Sequence, residues 1–207
     1  MAVITNFGVP TESAAGTTLM PKLQYRFRVS FTNMGDGAQK SEVTQNVVSA
    51  SRPNLTHEEV VVDSYNSKMY LAGKHTWEPV TIVFRDDMNS NVIKQLGTQL
   101  NAQVDHADQS SAIAGGSYKF GVKIETLDGQ NGSKKPVTFD EWQLEGCFIS
   151  QVQYGDLNYA DSNMVQVTLT VRYDHAAHII AGTTDVLSAG NLGEADSTVT
   201  GGGTGAT

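Results

Sequence analysis

Two histidines and a carboxylate fall within five residues at Asp174-His175-Ala176-Ala177-His178, and imidazole nitrogens with a carboxylate oxygen suit zinc. The spacing works against that chemistry. A His-x-x-His pair fits neither the i, i+4 arrangement of a helical zinc site nor the i, i+2 same-face arrangement of a strand. The stretch therefore reads as a polar cluster that ends a strand. His57-Glu58-Glu59 and His106-Ala107-Asp108 offer acid and base groups, yet nothing nearby would orient them, so they read as solvated loop or helix-end residues. Cys147 is the one cysteine. Within Cys147-Phe148-Ile149 it reads as a buried strand residue, and a single thiol closes no intramolecular disulfide. A nucleophile elbow and a P-loop are both missing, and the Gly-rich pieces GGSYKFG and GGGTG lack the strand-to-helix context of a dinucleotide site. Trp77, Trp142, Tyr154 and Tyr159 can in principle stack on sugars or bases, but rings in or beside strands pack across a β-core. The expectation is a protein that is not an enzyme and holds no metal or cofactor.

The elements that carry these residues are mostly strands. Of 207 residues only 17% are charged and 39% hydrophobic, with Gly, Thr, Ser and Asn between short apolar runs, as in β-rich chains with many turns. A net charge of −8 argues against a surface that attracts DNA or anionic membrane, since phosphate contacts need clustered Lys and Arg. The opening MAVITNFGVPTESAAG has no signal-peptide pattern and nowhere do 18 apolar residues run together. No membrane insertion is expected, and the chain is expected to fold in a cytoplasm.

Residues 1–21 read as a polar N-terminal extension, 22–180 as the folded domain, and 181–207 as a Gly/Thr-rich C-terminal extension. Leu23, Tyr25, Phe27, Val29 and Phe31 alternate with polar residues as a half-buried strand. After a turn in residues 33–39, Val43, Val47 and Val48 suggest a second strand ending before Arg52-Pro53. Residues 57–73 form a long hairpin or extended arm. Its apolar pieces have no evident core of their own: Val60, Val61, Val62 on one side of a polar centre that includes Asp63, Tyr65 and Lys68, and Met69 and Leu71 on the other. The next strand runs over 76–84 with Pro79 at an edge or bulge. Residues 86–106 form a helix with Met88, Val92, Leu96, Leu100 and Val104 at helical spacing, capped by Asp86 or Asp87. Strands return at 118–126 and 139–154, joined by a turn at DGQNG, and the last, over 164–174, alternates strictly.

The order of these parts resembles the tail tube proteins of contractile-tailed bacteriophages, which are related in fold to pyocin tubes and type VI secretion tube rings. Arg52-Pro53-Asn54 is similar to the family's turn after its second strand. MYLAGKHTWEPVTIVFRDD resembles the stretch that the family builds from residues at the places of Lys68, Ala72, Gly73, Thr76, Trp77, Thr81, Ile82 and Asp86. Leu144-Glu145-Gly146, the loop with Asp161-Ser162-Asn163 and the alternation over residues 165–173 look like its closing hairpin. The resemblance spans residues 22–175.

What the resemblance implies is a mainly β (α+β) subunit, an antiparallel β-sandwich or barrel with one flanking α-helix, whose strands join a ring-spanning β-barrel. Six subunits would form a ring and rings would stack into a hollow tube in a virion tail, assembled in the host cytoplasm. Gln166, Thr168, Thr170 and Arg172 would face the lumen, an acidic lumen would let DNA pass without sticking, and the arm would join ring to ring. Implied partners are further copies of the chain and sheath, baseplate, tape-measure and tail terminator proteins. Two alternatives stand beside this: a secretion-system ring protein, and a monomeric β-sandwich that holds carbohydrate with exposed aromatics such as Trp77 and Tyr159.

Overall fold

The computed structural model describes residues 22–35, 40–112, 114–128 and 137–180, with the side chains of 40–42 excepted. Both terminal extensions, the DGQNG turn beyond Asp128 and most of the turn over 33–39 lie outside the described residues. Nine strands and two α-helices follow in order: β1 Phe27–Thr32, α1 Lys40–Gln45, β2 Val47–Ala50, β3 Leu55–Ser64, β4 Ser67–Trp77, β5 Val80–Arg85, α2 Asn91–Gln103, β6 Phe120–Leu127, β7 Thr138–Tyr154, β8 Gln166–Arg172 and β9 His175–Ile180. A 3-10 turn at Gly115–Ser117 precedes β6.

Seven of the strands make one antiparallel sheet in the order β1-β6-β7-β8-β5-β2, with β9 added on β7. The 17-residue β7 holds the sheet together. Its first half pairs with β6 on one edge and β9 on the other, and its second half pairs with β8. Because β8 runs almost directly into β9, the two lie along one edge of β7 like a single long strand broken at Tyr173-Asp174. Opposite that break stands Gly146 with φ 67°, a left-handed conformation that costs a side-chain-bearing residue about 1 kcal/mol. A Cβ there would also lie 2.3 Å from Asp174 Oδ2. The glycine lets β7 bend, so that the sheet folds into two halves.

Alternation then decides what each half buries. Val29 and Phe31 of β1, Val122 and Ile124 of β6 and Leu144 of β7 meet Ile82 and Phe84 of β5 and Val167, Leu169 and Val171 of β8 in one buried cluster. The Phe31 and Phe84 rings, from opposite halves, lie 5.9 Å apart. Val92 and Leu96 close the cluster from α2.

Several sequence expectations are corrected. Residues 76–84 are not one strand: Thr76 and Trp77 end β4, and Glu78-Pro79 separates them from β5. Proline has no N–H for a ladder, and Glu78 N–H donates back to the Asn54 carbonyl at 3.0 Å, closing the base of the β3–β4 hairpin. Val43 belongs to the short α1 and not to the second strand. The long helix begins at Asn91 rather than in the mid-eighties, because Asp87 Oδ1 accepts from the Asn91 N–H at 2.8 Å and Ser90 sits at φ 54°. Met88 is therefore outside it and wholly exposed. His175–Ile180 is a further strand where a strand-ending cluster was expected.

The inward face of α2 carries glutamines as well as apolar residues. Gln103 Nε2 donates to the Ile149 carbonyl at 3.0 Å and its Oε1 accepts from the Ile149 N–H at 2.9 Å. That amide continues the β7 ladder two residues beyond Cys147, where pairing with β6 stops. One helical turn earlier, the buried Gln99 donates to the Tyr118 carbonyl at 2.5 Å and accepts from the Gly35 N–H at 3.0 Å. Gln103→Leu removes both partners of Ile149 together, and a buried unpaired backbone group costs about 1–3 kcal/mol. The expected result is a loss of about 2 kcal/mol by urea unfolding, with Gln103→Glu similarly destabilised because it keeps the acceptor and lacks the donor.

Candidate assembly surfaces

The β3–β4 hairpin pairs in register from Val60↔Leu71 through Val62↔Met69 to Ser64↔Ser67. Partners directly opposite share a face, so Val60, Leu71, Val62 and Met69 form one apolar face and Val61 with Tyr70 the centre of the other. All six are exposed, from 39% at Val62 to 63% at Tyr70. Asp63 and Lys68 face each other near the tip, 3.9 Å apart, which as an exposed ion pair contributes at most about 1 kcal/mol. Tyr65 turns the chain at φ 48° with its side chain fully in solvent. An isolated two-stranded hairpin is marginal in water, and this one has solvent on both apolar sides. The residues named from sequence as the arm are thus brought together as one projecting ribbon, longer than residues 57–73 at both ends.

Gln166, Thr168 and Thr170 lie on the face of β8 turned away from the core, between Arg85, Val83 and Thr81 of β5 and Gln153 and Gln151 of β7. Arg172 is exposed at the end of the same row, opposite Phe148. This face holds amides, hydroxyls and two guanidiniums and no carboxylate. The acidic lumen expected from net charge is not carried by these residues. Charge concentrates on the outer face of the other half-sheet, where it is paired across strands: Arg28 Nε lies 2.6 Å from Glu125 Oε2, and Lys123 Nζ 2.8 Å from Glu141 Oε1. The hydrogen bond from Arg28 holds the Glu125 carboxyl below the usual carboxylate range against the opposing effect of its burial.

Several of the residues that suggested chemistry are accounted for by packing or ion pairs, while Tyr154, Tyr159, His106 and Asp108 are exposed. His178 stacks on Trp142 with centroids 4.1 Å apart, and its Nε2 meets the buried Asp140, which also holds Lys22 at 3.4 Å. Asp174 pairs with Lys119, and His175 points to solvent. No group of three metal-ligating side chains forms among the described residues. Cys147 is fully buried, and desolvation pushes its thiol up to about 12, far from a nucleophile. Trp77 is buried against Tyr173 at 5.8 Å, so it is not available as a sugar platform. His57 and His75 face each other across the arm at 6.1 Å.

Besides the two outer edges of the β3–β4 ribbon, the outer edges of β1, β2 and β9 and that of β7 beyond Ile149 have no ladder partner among the described residues. Sequence reasoning missed β9 and the glutamine row. The glutamines at 95, 99 and 103 repeat at i, i+4, whereas His175–Ile180 is too short to show a period.

No protein-family model matches the chain, and no curated protein matches it in sequence. Solved structures do match in fold. A chain of the sheath/tube terminator of PVC, an extracellular contractile injection system, in the extended state aligns with a TM-score of 0.59 at 14% identity, covering 78% of this chain and 98% of that one. A chain of the six-fold symmetrised baseplate of the anti-feeding prophage aligns at 0.58 and 16% identity over 80% and 99%. The SPP1 tail tube aligns at 0.50 and 9% identity over 77% and 80%. The mainly antiparallel fold is shared with tube-bearing assemblies of contractile injection systems and of a phage tail.

Proposed function

We propose that this chain is the building block of a hollow tail tube, in which six copies form a ring and rings stack into a conduit for DNA. The observation that carries the reading is the arm: a ribbon of β3 and β4 with apolar residues on both faces and no cover from the other described residues, on a fold shared with tube-bearing assemblies. Stacked rings would cover it. The free edges of β9 and of the second half of β7 are the ones assigned to neighbours within the ring, since pairing them removes an aggregation hazard. The β8 face of Gln166, Thr168, Thr170 and Arg172 is assigned to the lumen. Its amides and hydroxyls would give passing DNA few phosphate contacts beyond the guanidiniums of Arg85 and Arg172, so passage would rest on sparse contact rather than on repulsion.

Such a tube would sit in a virion tail assembled in the host cytoplasm, with a tape-measure protein inside, a sheath outside, and baseplate and terminator at its ends. Negative-stain electron microscopy of the purified protein, with mass photometry on the same sample, tests the reading. Hollow tubes or stacked six-subunit rings are the expected result. Discrete rings that never stack would assign the chain to a secretion-type ring, and a monomer at all concentrations would overturn the tube.

A further inference from the structure

His57 and His75 stand directly opposite each other on β3 and β4, and in such a cross-strand pair the two Cβ atoms lie about 5 Å apart on one face. Their ring centroids are 6.1 Å apart, and both side chains are exposed. Of the five histidines these are the two whose rings meet among the described residues. His178 is taken by Trp142 and Asp140, and His106 and His175 are exposed without a ring neighbour of their own kind.

The backbone under the pair is fixed on both sides. Toward the body, Thr56↔Thr76 and Leu55↔Trp77 continue the register, Trp77 is buried against Tyr173, and the Glu78 N–H closes the base on the Asn54 carbonyl. Trp77 also sets its ring edge-on to His75 at 6.2 Å. Toward the tip, the register shifts between His57 and Glu59, and a Cβ on Gly73 would lie 2.9 Å from the Glu58 carbonyl oxygen. The histidine pair is the last one in step with the core before this bulge.

An imidazole nitrogen binds zinc at about 2 Å, which sets the centroids of two rings on one tetrahedral ion about 5 Å apart. Rotation about the side-chain bonds covers the remaining distance of about 1 Å. Imidazole suits copper, nickel and zinc, whereas magnesium and calcium take oxygen ligands. No third His, Cys, Asp or Glu side chain joins the two among the described residues, so water completes the coordination.

We propose that His57 and His75 together bind one late first-row divalent ion, copper(II) in preference to nickel(II) or zinc(II), as a cross-strand clip where the ribbon leaves the sheet. The inference does not depend on the tube reading.

Titration of the full chain carrying Trp142→Phe with copper(II) tests it, because Trp77 is then the one indole and lies beside the site, where a bound copper ion quenches it. Saturable quenching at one ion per chain is expected, without competition from magnesium. His57→Gln and His75→Gln alter side chains outside the core, and each is expected to bind at least about tenfold more weakly, since the second imidazole of a chelate acts at a high effective concentration. Calorimetric titration of the chain with both tryptophans repeats the comparison and covers the case of a Trp142→Phe chain that fails to fold. Binding that both glutamine variants retain would overturn the proposal by placing the ion elsewhere. So would one ion per two chains, which assigns the histidines to a contact between copies, or the lack of saturable binding by the parent chain.

Discussion

In a chain that assembles as proposed, Val60→Glu combined with Leu71→Lys leaves the subunit folded and abolishes tubes. The two residues are directly opposite across β3 and β4, so the new charges pair with each other and the hairpin keeps its register. Neither side chain belongs to the buried core, and the unfolding midpoint of the isolated subunit should not move. In a stacked ring the same positions would have to be desolvated. Burying charge there costs several kcal/mol, and about 4 kcal/mol already weakens an association a thousandfold. Electron microscopy and sedimentation of the double variant beside the parent protein read the outcome. Tubes of normal length from the variant would remove the arm from the assembly mechanism, as would tubes from a chain lacking residues 63–68.

Phe84→Ala should cost about 4 kcal/mol of subunit stability. Phe84 is fully buried at the centre of β5 and touches the Phe31 ring of the opposite half-sheet. Truncation would open a cavity at the place where the two halves meet. Large-to-small changes at buried phenylalanines cost about 3–5 kcal/mol, a large share of the 5–15 kcal/mol that holds a typical domain together. Urea unfolding of the dissociated subunit measures it. The adjacent Arg85 points to solvent, and Arg85→Ala serves as the control, with a change within about 0.5 kcal/mol. Equal effects at the two positions would mean that the halves are not joined through Phe84.

Where hydrophobic alternation is strong, the sequence and the structure agree. Val29 and Phe31, Ile82 and Phe84, and Val167, Leu169 and Val171 bury the faces that their spacing requires, because a strand with one dry face has only one acceptable register. The arm is legible for the opposite reason: Val60 to Val62 and Met69 to Leu71 pair only with each other and stay exposed among the described residues. Errors cluster where a single side chain overrides periodicity. Asp87 and the left-handed Ser90 set the start of α2 although Met88 keeps the helical spacing. Pro79 was read as a flaw within one strand and is the boundary between two. His175–Ile180 was missed because six residues after a charged break are too few to show a period, and what makes them a strand is the edge of β7. The pairing of Gln103 with Ile149, 46 residues away, has no local signature at all.

The hairpin and the sheet are built from contacts of very different reach. The arm closes through a turn between Ser64 and Ser67, a local event that takes about 1–10 μs. The sheet must join β1 to β6, where Arg28 and Glu125 stand 97 residues apart, and pairings of that range are slow because loop closure comes before any gain. In a newly made chain the apolar ribbon can therefore form and re-form before the sheet that holds it has assembled. Exposed apolar strands in incompletely folded chains favour aggregation, so slowing expression should raise the soluble yield.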